Sequence, residues 1–214
     1  MKIYAFHAPL PKAIFPIHDQ LIELWAQTWS EAGWEPVLLG MPHAAEHPDF
    51  ERFSKIVMQY PTVNPEGFDY VCWARWLAYE RAGAGFISDY DCLNLGWPPP
   101  AERPTESCTY AFNIPYFEGA NSLIHLKQED LQRFLVRMET EPNQLFYRHV
   151  NGRDQVSDMV FFNHMARKGN LSIAPRMVQH SYETPIHCPV IHLTPTSGNP
   201  AEKLALAHSI LKRA

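Results

Sequence analysis

The opening of the chain constrains the fold most. A β-branched and aromatic run, KIYAF at 2–6, leads through a proline-rich turn into HDQLIELWAQTWSEAGW, and a second apolar run, PVLL at 36–39, follows. Leu21, Leu24, Trp25, Thr28 and Trp29 recur at helical spacing, and Gly33 stops the helix. Strand, helix and strand in about 40 residues form a crossover unit, whose two strands lie parallel in one sheet. The later pattern continues the alternation. A helix is predicted over 66–82 (EGFDYVCWARWLAYERA), stopping at Gly83 and feeding a strand at 86–88. Further strands are expected at 108–112, 122–125, 171–174 and 189–193, with helices near 129–139, 155–168 and 200–213. With 214 residues, 46% of them hydrophobic, the chain fills one core and is short for two. The expectation is a single α/β domain over 1–214, with a mostly parallel, Rossmann-like sheet flanked by helices.

Composition narrows the function. A formal charge of -5 without a basic cluster argues against nucleic acid as a partner. No stretch approaches the ~20 apolar residues of a membrane span, and MKIYAFHAPLPKAIF lacks the apolar region of a signal peptide, so a cytoplasmic location is expected. Cys72, Cys92, Cys108 and Cys188 show no CxxC spacing, and His180, His187, Cys188 and His192 fit no common zinc pattern; the cysteines read as reduced thiols. Neither a GxGxxG turn nor a GxxxxGK[ST] loop is present, so any bound phosphate calls for a metal.

The segment GAGFISDYDCLNLG supplies one. It sets Asp89 and Asp91 on either side of Tyr90 at the exit of the 86–88 strand. By itself an Asp-x-Asp triplet is as often a solvated turn or a helix cap. Open α/β sheets, however, bind ligands beyond the carboxyl ends of their strands. The exit of the first strand, Phe6-His7-Ala8, falls on the same rim, where its backbone groups can hold a base.

The longer run WARWLAYERAGAGFISDYDCLN resembles the core of the metal-dependent, A-type nucleotide-sugar glycosyltransferases, with Arg75, Gly83, Gly85, Asp89 and Asp91 in the family's order. The opening HDQLIELWAQTWSEAGWEPVLL also looks like that family's first helix and second strand, in the manner of small bacterial or viral polysaccharide enzymes. The resemblance implies transfer of a sugar from a nucleoside-diphosphate donor to a hydroxyl of a glycan or glycolipid, with manganese or magnesium. It implies Asp91 as direct metal ligand, Asp89 as a ribose or water-mediated contact, and Arg75 on a phosphate, a donor hydroxyl or Asp89. GRDQVSDMVFFNHM matches the second acidic motif, with Asp158 in the acidic place and Asp154 as its competitor. That residue is the base of an inverting enzyme or a donor-sugar contact in a retaining one. His192, ending PVIHL, stands where a late histidine reaches the metal or diphosphate, and the segment 117–122, including Asn121 and Ser122, where donor or acceptor is touched. Residues 1–95 then form the nucleotide-sugar half and 96–214 the acceptor and catalytic half. Trp97 is the sugar-stacking candidate, whereas Trp25, Trp29, Trp73 and Trp76, at helical intervals, read as core. A nucleotidyltransferase is the first rival, although AFHAPLPKAIF lacks its glycine-rich basic loop; a non-catalytic carbohydrate-binding module on the same fold is the second.

Overall fold

The computed structural model describes residues 1–9, 16–111, 121–141, 147–150, 152–181, 187–194 and 200–213. Strand β1 (Lys2–Phe6), helix α1 (Pro16–Glu31) and strand β2 (Glu35–Leu39) form the expected crossover, with β1 and β2 parallel from Lys2↔Glu35 to Phe6↔Leu39. Two short helices, α2 (Met41–Ala45) and α3 (Phe50–Val57), precede α4 (Phe68–Arg81). The chain then enters β3 (Gly85–Ser88), which lies on the other side of β1 and parallel to it. The link needs three consecutive positive φ values, at Gly83, Ala84 and Gly85. Two are glycines, which adopt them freely. Ala84 does so at a cost of roughly 1 kcal/mol, offset by burial of its methyl and by its N–H donating to the Tyr79 carbonyl at 2.8 Å.

Beyond β3 come β4 (Cys92–Asn94), β5 (Cys108–Thr109), β6 (Leu123–Leu126), α5 (Gln128–Thr140), β7 (Tyr147–Val150), β8 (Arg153–Val156), α6 (Asp158–Arg167), β9 (Ser172–Ile173), β10 (Val178–His180), β11 (Val190–His192) and α7 (Pro200–Leu211). The main sheet has the order β2-β1-β3-β6-β5-β9, and β6 alone runs against the others. This is the mostly parallel α/β sheet read from the sequence.

Three details differ from the pattern-based reading. The 189–193 strand joins a separate sheet, β10-β11-β4, rather than the main one. The helix expected from 155 starts at Asp158, because 153–156 pair with β7 as a hairpin and Ser157 caps the helix by accepting the Val160 N–H. The strand expected over 108–112 keeps strand geometry only at Cys108–Thr109.

Strand alternation builds the core in two layers. Tyr4, Phe6, Ile87, Ile124 and Leu126 face α4, α5 and α6, where Trp73, Trp76, Leu77, Phe134, Phe161 and Phe162 are buried. Ile3, Ala5, Phe86 and Leu123 face the opposite way, toward Trp25, Trp29, Trp34 and Trp97. A third apolar group joins α7 to α1, β4 and β11 through Leu21, Leu93, Ile191, Leu193, Ala207 and Ile210. Among the described residues no helix is long and apolar enough to cross a membrane.

Candidate active site

Between β1 and β3 the strand order reverses, since β2 lies on one side of β1 and β3 on the other. At the carboxyl ends of these two strands opens a cavity of about 470 Å³, where such a switch point leaves room for a ligand. Its floor is the turn that follows β3. The Asp89 N–H donates to the Ser122 carbonyl (3.0 Å), and the Cys92 N–H closes the turn on the Asp89 carbonyl (3.0 Å). Helix α1 braces this turn from beneath with two indoles one helical turn apart. Trp25 Nε1 donates to Ser88 Oγ (2.9 Å) just before it, and Trp29 Nε1 to the Cys92 carbonyl (2.8 Å) just after. These tryptophans are core residues, as their spacing predicted, and their polar edges also fix the acidic turn.

The two carboxylates of the turn diverge. Asp89 Oδ1 accepts from Arg75 Nη1 on α4 (2.8 Å), whose Nε and Nη2 bind Asp158 Oδ2 at 3.0 and 2.6 Å. The same Asp158 oxygen accepts from Trp76 Nε1 (3.0 Å) and Asn121 Nδ2 (3.3 Å), while Oδ1 accepts the Met159 N–H (2.7 Å). Asp158 is thus a buried carboxylate at the first position of α6, favoured there by the helix dipole. Burial opposes the charge on Arg75, but Asp158 and then Asp89 outweigh it and raise its pKa well above the ordinary value. Burial likewise raises Asp89, against the pull of Arg75.

Asp91 turns toward the C-terminal part of the chain. Its Oδ2 receives Lys203 Nζ of α7 at 2.5 Å, and its Oδ1 lies 3.4 Å from His192 Nε2. The pairing of β11 with β4, which sets His192 opposite Cys92, and the Leu193 N–H bond to the Asp91 carbonyl (2.9 Å) fix this arrangement. Burial disfavours the Asp91 anion, yet Lys203 and then His192 prevail and hold its carboxyl well below the usual carboxylate range. Burial also works against a charged His192, but Asp91 raises its pKa above the ordinary value; Lys203 is raised chiefly by Asp91.

His7, His18 and Tyr90 form one wall. Their ring centroids lie 5.4–5.8 Å apart, and the Tyr90 hydroxyl is 2.9 Å from His18 Nδ1. Burial lowers the pKa of both histidines, helped at His7 by His18 and at His18 by Lys203, so both rings are kept neutral near pH 7. The opposite wall carries Phe68 and Asp69 at the start of α4, with Asn64 Nδ2 donating to Asp69 (2.8 Å).

Asp91, Cys92 and His192 are the acid, thiol and imidazole groups close enough to share a metal among the described residues, with ligand atoms within 4.8 Å. Cys92 is a poor member of the set. Burial raises its pKa well above the ordinary value, and its Sγ donates to the Ser122 carbonyl at 3.4 Å. One carboxylate and one imidazole remain. The buried His192 Nδ1 has no hydrogen-bond partner among the described residues. This donor set fits manganese or magnesium when phosphate oxygens and water complete the shell, and the imidazole favours manganese.

The cavity gathers most of the residues singled out in the sequence. Phe6, His7 and Ala8 line it at the exit of β1, and Arg75, Asp89, Tyr90, Asp91, Asn121, Asp158 and His192 line it elsewhere. Ser122 is buried beneath the turn and contributes its carbonyl. Asp154 is exposed on β8, where strand alternation turns it away while buried Gln155 lines the cavity. Residues 117–120 of the expected donor or acceptor segment lie outside the described residues. Trp97 is a correction. It is 9% exposed, with ring centroids 5.2 Å from Trp34 and 5.1 Å from Tyr110, because Asn94 Oδ1 accepts the Gly96 and Trp97 N–H groups and folds it inward. Lys203 and His18 had no sequence signal, since a lone lysine in a terminal helix and a lone histidine before an apolar stripe look like surface residues.

A family model, Domain of unknown function (DUF8765), matches residues 3–99. No curated protein matches the sequence. Among solved structures, the chain is similar to the crystal structure of a glycosyltransferase involved in the glycosylation of the major capsid of PBCV-1. The two share 10% identity at a TM-score of 0.56, covering 97% of this chain and 98% of that one. It is also similar to a mutant Drosophila β-1,4-galactosyltransferase 7 in complex with manganese, UDP-Gal and xylobiose, with 11% identity and a TM-score of 0.47, covering 92% of this chain and 72% of that one. The first likeness runs end to end, and the chain has a glycosyltransferase-like α/β fold.

Proposed function

We propose that the chain transfers a sugar from a nucleoside-diphosphate donor to a hydroxyl of a glycan or glycolipid, with manganese or magnesium as cofactor. The observation that carries this reading is the divergent acidic turn at the switch point. Asp91 faces His192 at a metal-capable pair, while Asp89 faces an Arg75 held rigid by Asp158. The end-to-end fold similarity to the capsid glycosyltransferase supports it.

When the sugar–phosphate bond breaks, negative charge builds on the departing diphosphate; Asp91 and His192 would hold a divalent ion there, and it would supply compensating charge. The protein's own groups do the rest. The exit of β1 and the His7, His18 and Tyr90 rings border the space for the nucleoside. Asp89 and Arg75 present a fixed carboxylate and guanidinium beside the sugar, a geometry preset before the donor arrives. Four N–H groups occupy Asp158 Oδ2, so Oδ1 is the oxygen with a lone pair left for an acceptor hydroxyl. In an inverting reaction it takes that proton.

Calorimetric titration with UDP, GDP and dTDP, with and without manganese, tests the reading. One nucleotide should bind only with metal, and Asp91→Ala should weaken it at least about tenfold, the loss of a charged metal ligand. Free nucleoside diphosphate should then accumulate from the matching nucleotide sugar. Pyrophosphate release from a nucleoside triphosphate and a sugar phosphate would point instead to a nucleotidyltransferase. Glycan binding that Asp91→Ala leaves intact, without turnover of any donor, would indicate a carbohydrate-binding module.

A further inference from the structure

We propose that Lys203, carried into the site by the C-terminal helix, is the protein's own cation for the donor diphosphate. It neutralises Asp91 before the donor arrives and turns to the phosphate oxygens when a nucleoside diphosphate enters with its metal. The inference rests on the glycosyltransferase reading and adds to it a residue 112 positions from the acidic turn.

Position is the first argument. Lys203, Ala207 and Ile210 stand at i, i+4 and i+7 on α7, so they share one face. Ala207 and Ile210 are fully buried against the group formed by Leu21, Leu93, Ile191 and Leu193. The lysine therefore occupies the stripe that docks the helix, and docking sends it into the cavity wall with its side chain only 26% exposed. It also stands in the first turn of α7, where the helix dipole disfavours a cation. The Asp91 carboxylate at 2.5 Å offsets that penalty.

Availability is the second argument. Among the described residues, Arg75 and Lys203 are the arginine and lysine side chains that line the cavity. Arg75 spends Nε, Nη1 and Nη2 on Asp158 and Asp89, so it is fixed in place. Lys203 has one described partner, three rotatable donors and a flexible stem. A divalent ion on Asp91 repels an ammonium that shares its carboxylate, and the diphosphate beside the ion is the anion to which Lys203 can move.

The test separates metal from phosphate by comparing Lys203→Met and Lys203→Arg with the unaltered protein. Manganese binding without nucleotide is read from the electron paramagnetic resonance signal of free Mn²⁺. Nucleoside diphosphate binding at saturating manganese is read by calorimetry. Lys203→Met should bind manganese alone several-fold more tightly, because Asp91 is released, yet bind the nucleoside diphosphate about tenfold more weakly, the loss of one charge-assisted contact. Affinity for the nucleoside without phosphates should not change, and Lys203→Arg should retain most of the diphosphate affinity. Should Lys203→Met fail to fold, as judged by circular dichroism, Lys203→Gln serves in its place. Equal loss of metal and nucleotide, or unchanged nucleotide affinity, overturns the role of Lys203 while leaving the glycosyltransferase reading standing. An unaltered protein that binds no nucleotide with manganese overturns both.

Discussion

Replacing Arg75 by methionine should destabilise the fold as well as disturb the site. The guanidinium makes three N–H···O bonds, two to Asp158 and one to Asp89. Without it, Asp158 keeps the donors of Trp76, Asn121 and Met159, but its charge stays in a pocket where its side chain is 5% exposed. Asp89 loses its arginine partner, although at 24% exposure water reaches it. Breaking a buried ion pair from one side costs about 3–5 kcal/mol. The surviving donors on Asp158 and the solvent at Asp89 place this case near the lower end, at about 3 kcal/mol. For a domain of this size each kcal/mol moves the melting midpoint by about 2–4 °C, so a fall of roughly 6–12 °C is expected. Arg75→Lys should recover only part of it, because one ammonium cannot span two carboxylates that the planar fork bridges. The double variant Arg75→Met with Asp158→Asn should be more stable than Arg75→Met alone, since the stranded charge is gone. Differential scanning calorimetry at pH 7 measures all three. An Arg75→Met midpoint within about 2 °C of the unaltered protein, or a double variant less stable than the single, would refute the assignment of Arg75 as the keystone of this network.

Trp97→Ala should cost about 3–5 kcal/mol in urea unfolding and leave nucleotide affinity untouched, because its ring packs among Trp29, Trp34 and Tyr110; a selective loss of sugar or nucleotide binding in a stable protein would restore it to the site. Burial lowers the pKa of His125, whose Nδ1 lies 3.0 Å from the Glu106 carbonyl. The unfolded chain therefore takes up this proton first, and the stability that depends on a neutral ring is lost as pH falls below about 6.5. His192, raised by Asp91, acts with the opposite sign, its contribution being complete below about 6.5 and lost as pH rises through its folded value. Comparing His125→Asn with the unaltered protein isolates the first effect: thermal midpoints from pH 7.5 to 5 should fall less steeply in the variant, and parallel curves would contradict the assignment.

Local signals in the chain carried the first half of the fold. The crossover unit, the stop at Gly33 and the glycine-bounded entry into β3 are each written within a few residues, so periodicity and turn chemistry find them. Helix α2 is five residues long, too short to set up a periodic stripe, whereas α3, at eight residues, carries Phe50, Phe53 and Val57 at i, i+3 and i+7, a stripe legible in the sequence but absent from the expected helices. The onset of α6 was misplaced because Asp154 and Gln155 pair with β7, a partner that helical patterning cannot see. Site residues divide in the same way. Asp89, Asp91 and the rim at 6–8 follow from strand exits, whereas His192 came only from the family resemblance, since β11 belongs to a different sheet. Lys203 depends on how α7 docks, a consequence of Leu21, Leu93 and Ile191 lying together only after folding.

That dependence explains why two aspartates one residue apart acquire unlike surroundings. Both leave the same strand through the same turn, and no local rule distinguishes them. Asp89 meets an arginine whose other donors are committed to Asp158, 83 residues from Arg75 in sequence, so its partner is immobile. Asp91 meets a histidine fixed by a separate sheet and a lysine from a separately docked helix, whose flexible stem leaves it free to exchange one anion for another. A rigid carboxylate suits the sugar, whose orientation decides reaction geometry. Under the proposed function, an exchangeable one suits a metal and diphosphate that bind and are released. The separation predicts that variants on the Arg75 side lower turnover more than nucleotide affinity, while variants on the Lys203 side do the reverse. Steady-state kinetics set beside nucleotide titration read this directly, and equal losses on both sides would mean that the turn acts as one unit.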